Sequence, residues 1–244
     1  MKSWVTKSGY KIIRVLSGRS NVFLLTNGEK NILIDTSISY LWGKLQRRIE
    51  MLNIETIDYL VLTHSHFDHA ANASRIKEKY KSTVVIHMND AQLLSKGETV
   101  IPKGTVLFTT LLVNTLSRFI PKSLIKYTPC EPDLLIDSDY CLKAIGFNSY
   151  LTHTPGHTEG SLSLIIDDEI AIVGDAMFGV FKWSVYPPFA DDRSRMIKSW
   201  EKLLNTKCLI FLPSHGSANN RSLLEKNFRM LQKGLGNVRK VNNF

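Results

Sequence analysis

The sequence predicts an α/β fold: a four-layer αββα sandwich, internally duplicated, with two β-sheets packed face to face and helices on the outside. Three observations predict it. An apolar hairpin pattern occurs twice at a constant offset of 140 residues. Each hairpin is followed by a stretch with apolar residues at helical spacing. Each such stretch leads to an apolar strand that runs directly into a histidine.

In the first half, residues 21–25 and 31–35 read as strands around Thr26-Asn27-Gly28-Glu29, because an Asn-Gly pair between apolar runs is a strong hairpin signal. Residues 41–52 predict a helix and residues 57–63 a strand that ends at His64. A helix over 70–80 and a strand over 84–88 follow. In the second half, residues 160–166 and 170–175 repeat the hairpin around Asp167-Asp168-Glu169, so Asp35 and Asp175 fall at equivalent ends. Residues 196–204 then predict a helix and 208–212 a strand leading to His215. Residues 89–126 do not fit the repeat. Their apolar positions (Val106, Leu107, Leu111, Leu112, Val113, Leu116, Phe119, Ile120 and Leu124) predict a helical insertion within a single domain over 1–244. It can pack on the body, form a lid or wall of an apolar pocket, or touch a membrane; insertions of this length tend to be functional.

Composition bounds the rest. With 244 residues and 43% hydrophobic content the chain can build a globular core. No run reaches the length of a membrane span, and the opening Met1-Lys2-Ser3-Trp4 lacks the apolar segment of a secretory signal, so the expected location is cytoplasmic. Cys130, Cys141 and Cys208 form no Cys-x-x-Cys pair and read as buried thiols, with neither a disulfide framework nor a zinc knuckle. The net charge of +9 suits an anionic substrate, nucleic acid, a membrane surface, or solubility alone. It gathers at Lys96, Lys103, Arg118, Lys122 and Lys126, and at Arg221, Lys226, Arg229, Lys233, Arg239 and Lys240. Neither group interleaves with aromatics as a base-stacking surface would, which disfavours nucleic acid.

The chemistry concentrates in Thr63-His64-Ser65-His66-Phe67-Asp68-His69, three histidines and a carboxylate straight after an apolar strand. Side chains alternate in extended backbone, so His64 and His66 project from the same side as two donors for one cation. Asp68 and His69 point to a neighbouring position. His157, in Thr154-Pro155-Gly156-His157, can complete a three-histidine site. Asp175 ends a hairpin strand where a carboxylate can bridge two cations, and His215 supplies a last ligand. Nitrogen and oxygen donors without cysteine suit two divalent ions, zinc first, with iron and manganese also accepted.

On these residues the chain resembles the metallo-β-lactamase-fold superfamily, in its dinuclear branch with a bridging aspartate, and is similar to glyoxalase II-like and lactonase-like members. The resemblance spans nearly the whole chain. It implies that His64, His66 and His157 hold one ion, that Asp68, His69 and His215 hold the second, and that Asp175 is shared. It also implies a structural carboxylate at Asp35 beneath the metal loop. His153 is a candidate partner for a metal-bound imidazole, since such rings need an acceptor for their other nitrogen; His87 reads as structural or surface. Tyr186 is a candidate substrate residue on a loop expected to line the cleft, or else a half-buried loop aromatic.

The expected activity is hydrolysis by a hydroxide bridging two metal ions, with Asp68 orienting it. The substrate expected is a small molecule with an apolar moiety: a carboxylic ester, thioester or lactone. Asp175 stands where true β-lactamases of the resembled fold carry cysteine or serine. Only residues 217–244 follow His215, shorter than the glutathione-binding region of glyoxalase II, and Phe178 stands near where lactonases carry tyrosine. A phosphodiesterase or nuclease is the alternative. A redox di-iron protein would replace His66 by glutamate, and a binding module would have lost ligands.

Overall fold

The computed structural model describes residues 1–116, 121 and 125–241. Arg118, Phe119, Ile120, Lys122 and Leu124 of the expected insertion lie outside the described residues, as do the side chains of Leu116, Lys233, Arg239 and Lys240.

Two sheets form. The first runs β1 (Ser3–Val5), β2 (Lys11–Leu16), β3 (Val22–Thr26), β4 (Asn31–Ile34), β5 (Tyr59–Val61), β6 (Thr83–His87) and β7 (Leu134–Ile136) in that spatial order. Its first four strands pair antiparallel and the rest parallel. In the second, β8 (Tyr140–Cys141), β9 (Ser149–His153), β10 (Leu162–Ile166), β11 (Ile170–Gly174), β12 (Ile210–Pro213) and β13 (Asn219–Asn220) lie in sequence order across the sheet. The expected duplication is visible in the pairing: a hairpin, β3–β4 or β10–β11, then a parallel strand, β5 or β12, beside its second member.

Alternation along each strand produces the layers. Phe23 and Leu25 of β3 and Ile32 and Ile34 of β4 face Leu162, Leu164, Ile170 and Ile172 in a core between the sheets. Leu24 and Leu33 point the other way, onto α1 (Trp42–Glu50), α3 (Ala73–Tyr80) and α4 (Met88–Lys96) through Leu45, Ile49, Ile76 and Leu94. Ile165, Val173 and Phe211 meet Trp200 and Leu203 of α6 (Arg193–Leu204) and Leu224 of α7 (Arg221–Val241). The four-layer αββα order follows.

Three expected elements change. The helix over 70–80 is two pieces, α2 (Phe67–Ala70) and α3, because Asn72 at the break donates its amide to the carbonyls of Thr36 and Ile38 at 3.0 Å each. Asp68 and His69 therefore sit within a helical turn rather than ahead of it. The insertion is helical only in part: α4 buries Leu94 against the first sheet and belongs to the body, residues 97–106 form no helix, and α5 (Leu107–Leu116) follows. The first hairpin turns through residues 27–30, one position later than the expected Thr26–Glu29, with Asn27 Oδ1 accepting from the amides of Glu29 and Lys30. Among the described residues no helix is long and apolar enough to cross a membrane. Cys130 and Cys208 are free and buried, as expected, but Cys141 is free and exposed, a correction, because it lies on the short edge strand β8.

Candidate metal centre

The parallel strands β5 and β12 end on one edge of the sandwich, and the segments leaving them carry the chemistry. His64 follows β5, Asp175 follows β11 and His215 follows β12. The sheets approach closely there: Leu162 donates its amide to the Thr63 carbonyl at 2.8 Å, and a Cβ on Gly174 would lie 2.8 Å from that of Thr63. Gly174 also adopts φ +53, so glycine is required both for backbone and for space.

All seven residues singled out from the sequence come together. His64 Nε2 and His157 Nε2 each lie 3.1 Å from His66 Nδ1. An ion bound tetrahedrally at 2.0–2.1 Å from its nitrogens would hold them about 3.3 Å apart, so the spacing fits. Asp175 reaches both groups, with Oδ2 3.5 Å from His157 Nε2 and 3.2 Å from His215 Nε2, and Oδ1 3.6 Å from His69 Nε2. Asp68 lies 3.9 Å from His69 Nε2 through Oδ1 and 3.7 Å from His215 Nε2 through Oδ2. Three ligand groupings are compact: His64 with His66 and His157, His64 with His69 and Asp175, and Asp68 with His69 and His215.

Hydrogen bonds fix which nitrogen of the His64, His69 and His157 rings faces inward. Thr63 Oγ1 bonds the Asp35 carboxylate and so accepts from His64 Nδ1 at 3.0 Å. The Phe189 carbonyl accepts from His157 Nδ1 at 3.0 Å, and Asp35 Oδ2 from His69 Nδ1 at 2.8 Å. In these three rings Nε2 then faces the cluster, whereas His66 faces it through Nδ1. His69 Nε2 and Asp175 Oδ1 are buried with no hydrogen-bond partner, which is the state of two atoms whose partner is a cation.

Electrostatics agree. Burial, reinforced by neighbouring imidazoles, holds His64 and His66 well below the ordinary histidine value, hence neutral and able to ligate. Burial also acts to lower His69, but Asp175 and Asp35 outweigh it and raise it to about 10. Burial acts to raise Asp175, but His215, His69 and His157 hold it far below the usual carboxylate range. These carboxylates attract positive charge, protons or metal alike.

Asp35 lies beneath the loop, as expected, accepting from the Thr63 amide at 2.8 Å and from Ser214 Oγ at 3.0 Å besides His69. His153 is a correction. Its ring stacks on His87 at 3.8 Å and its Nε2 meets the Glu159 carbonyl, because β9 directs it to the sheet edge rather than toward His157. His87 is correspondingly buried. Tyr186 takes the second of its two readings rather than the substrate role: half-buried, it packs edge-on against Trp200 beneath the Arg193 guanidinium and is not among the described residues lining the cavity.

Two residues escaped the sequence reading. Asp90, buried in α4, accepts from the Ser65 amide at 2.9 Å, Thr158 Oγ1 at 3.1 Å and the Gly160 amide at 2.9 Å, joining the histidine segment to the His157 loop. Its position just past the end of β6, on the same edge, was the available signal. Arg19 places Nε 3.4 Å from Asp68 Oδ2 and its guanidinium over Phe67. Both Arg19 and the cluster open onto a cavity of about 610 Å3, walled by Phe67, Ile101, Pro102, Leu112, Val113, Ile125, Phe178 and Phe189.

The model of the metallo-beta-lactamase superfamily matches residues 17–215 of the chain. A probable metallo-hydrolase of Methanocaldococcus jannaschii is 31% identical over 205 residues, 83% of this chain and 90% of its own. A hydroxyacylglutathione hydrolase of Haemophilus influenzae is 29% identical over 174 residues, 69% and 71% of the two chains. Among solved structures, an archaeal metallo-beta-lactamase superfamily protein from Sulfolobus tokodaii matches with a TM-score of 0.64 at 20% identity, over 92% of this chain and 86% of its own. A native metallo-beta-lactamase from Legionella gormanii matches with a TM-score of 0.63 at 18% identity, over 100% and 98%. At these identities the structural likeness is one of fold.

Proposed function

The chain belongs to the metallo-beta-lactamase superfamily and is a metal-dependent hydrolase, and from that premise we propose that it cleaves a carboxylic ester, thioester or lactone using two divalent cations. The donor set favours zinc, with His64, His66 and His157 around one ion, Asp68, His69 and His215 around the other, and Asp175 shared. Ligands from both halves of the sequence support its working as one domain. When bound, the ions supply a water activated near neutral pH and polarise the scissile carbonyl.

The protein's own groups position the rest. Asp68, lining the cavity with Arg19 beside it, takes a proton from the attacking water and later passes it to the leaving oxygen or sulfur. Phe67, Leu112, Val113 and Phe178 exclude bulk water and hold the apolar part of the substrate. Arg19 offers its guanidinium to the polar end. The observation that carries the reading is this apolar cavity opening on the histidine and aspartate cluster, with Arg19 the one arginine or lysine among the described residues lining it. A phosphodiester groove would line that path with several cations. The relative that acts on hydroxyacylglutathione, a thioester, lends support within the carbonyl class.

Turnover by metal-loaded protein, beside a His66→Ala control, is measured on esters, thioesters, lactones, β-lactams and phosphodiesters. Carbonyl turnover that drops at least about 10²-fold in the control is expected. Turnover of phosphodiesters alone would replace the reading with a nuclease.

A further inference from the structure

We propose that Tyr127 and Thr99 are positioning residues for His66, holding the peptide planes on either side of it so that its ring meets the first ion. The inference rests on the metal-centre reading above and on no particular substrate.

His66 is the pivot of the three-histidine group, because its Nδ1 lies 3.1 Å from both His64 Nε2 and His157 Nε2. Where that nitrogen sits depends on two backbone angles, φ −63 and ψ 149. The peptide before His66 carries the Ser65 carbonyl, to which the Tyr127 hydroxyl donates at 2.6 Å. The peptide after it carries the Phe67 amide, which donates to Thr99 Oγ1 at 2.8 Å. Peptide units are planar, so with both held, turning either angle breaks a hydrogen bond. The Ser65 hydroxyl gives the segment no such hold: it is buried with no hydrogen-bond partner among the described residues.

Tyr127 is built into its place. It is buried in one cluster with Leu94, Ala70 and Cys130, and its amide donates to the Gly97 carbonyl at 2.9 Å. A Cβ on Gly97 would lie 2.1 Å from the Tyr127 carbonyl oxygen, so that contact is fitted to glycine. Burial pushes the pKa of the phenol up, and it therefore keeps its proton and remains a donor. Thr99 and Tyr127 flank α5, one shortly after the chain leaves α4 and the other where it returns to pack there. Thr99 also lines the cavity, as does Ile125 two residues before Tyr127. The cavity wall and the placing of His66 are therefore one structure.

Cobalt(II) is titrated into metal-free full chain and into the variants Tyr127→Phe, Thr99→Val and Cys130→Ala, followed by visible absorption and by competition with a chromophoric chelator. His66→Ala marks which binding step belongs to the three-histidine group. That step should weaken about 10–100-fold in Tyr127→Phe and in Thr99→Val, with an altered absorption band, while the other step is unchanged. Cys130→Ala removes a buried side chain from the Tyr127 cluster and none of the hydrogen bonds to the histidine segment. It should lower the urea midpoint of the metal-free chain and leave both steps and the spectrum as they were. Tyr127→Phe and Thr99→Val that bind and absorb as the wild type does, or that weaken no more than Cys130→Ala, would overturn the proposal. An effect in only one of the two would overturn the assignment of the other. A wild type that takes up no cobalt would remove the metal-centre reading itself, an outcome distinct from normal uptake with silent variants.

Discussion

Asp35 adopts φ 61, a backbone region unfavourable for a residue with a side chain, and its carboxylate explains why the conformation persists. It binds Thr63, His69 and Ser214, so one buried side chain fixes the start of the histidine segment, a proposed ligand and the approach to His215. Asp35→Asn keeps the size but loses the charge that holds His69 Nδ1–H, and metal affinity should fall about 10–100-fold, read by competition with a chromophoric chelator. At this scale legibility depends on distance along the chain. His64, His66, Asp68 and His69 were legible because they are crowded into six positions. Asp35 was legible through its repeat partner. Asp90 was not, because its partners Ser65, Thr158 and Gly160 lie 25, 68 and 70 residues away and nothing local marks the contact. His153 was misread because closeness to His157 in sequence says nothing about the direction of its ring.

Among the elements, the joint between α4 and the His157 loop is the most sharply fitted. A Cβ at Gly160 would sit 2.5 Å from Asp90 Oδ1, so loop and carboxylate have no room to separate or to slip. Asp90→Ala leaves two amides and a hydroxyl without their acceptor and should cost about 2–4 kcal/mol in urea unfolding. Asp90→Asn, which retains an acceptor oxygen, should recover part of that. Element types were read well where periodicity was long and clean, as in α1, α6 and the two hairpins. Boundaries were read poorly where a side chain from elsewhere intervened. Asn72 breaks the helix after His69 by bonding carbonyls of the Thr36 loop, a tertiary cause invisible to helical spacing. The short edge strands β1, β8 and β13 carry too few residues for a pattern to show.

For the molecule as a whole, the two halves also meet at the end of the β10–β11 hairpin remote from Asp175. There Asp167 accepts from Thr6 Oγ1 at 2.5 Å, Ser8 Oγ at 2.7 Å and Asn148 Nδ2 at 3.0 Å, tying the turn after β1 to the second sheet. Burial acts to raise its carboxyl, but these donors outweigh it and hold it below the ordinary 3.8. A depressed folded value means that the ionised form stabilises the fold above the unfolded value and that this contribution disappears as pH falls through the folded one. Stability should therefore decline from about pH 5 toward pH 2, and Asp167→Asn should flatten that decline while costing about 1–2 kcal/mol at neutral pH. Asparagine tolerates the φ of 53 found there. Urea unfolding at several pH values, with chelator present throughout so that metal loss does not contribute, checks it.

That geometry gives the proposed metals a mechanical meaning. His64, His66, Asp68 and His69 come from one half of the chain and His157, Asp175 and His215 from the other, so each bound cation would add its binding free energy to the joint between the sheets as well as to the histidine segment. The sandwich then behaves as a book with a spine and a clasp. Asp167 and its three hydroxyl and amide donors form the spine, the cations close the clasp at the other end, and the cavity lies at the opening edge where the pages part.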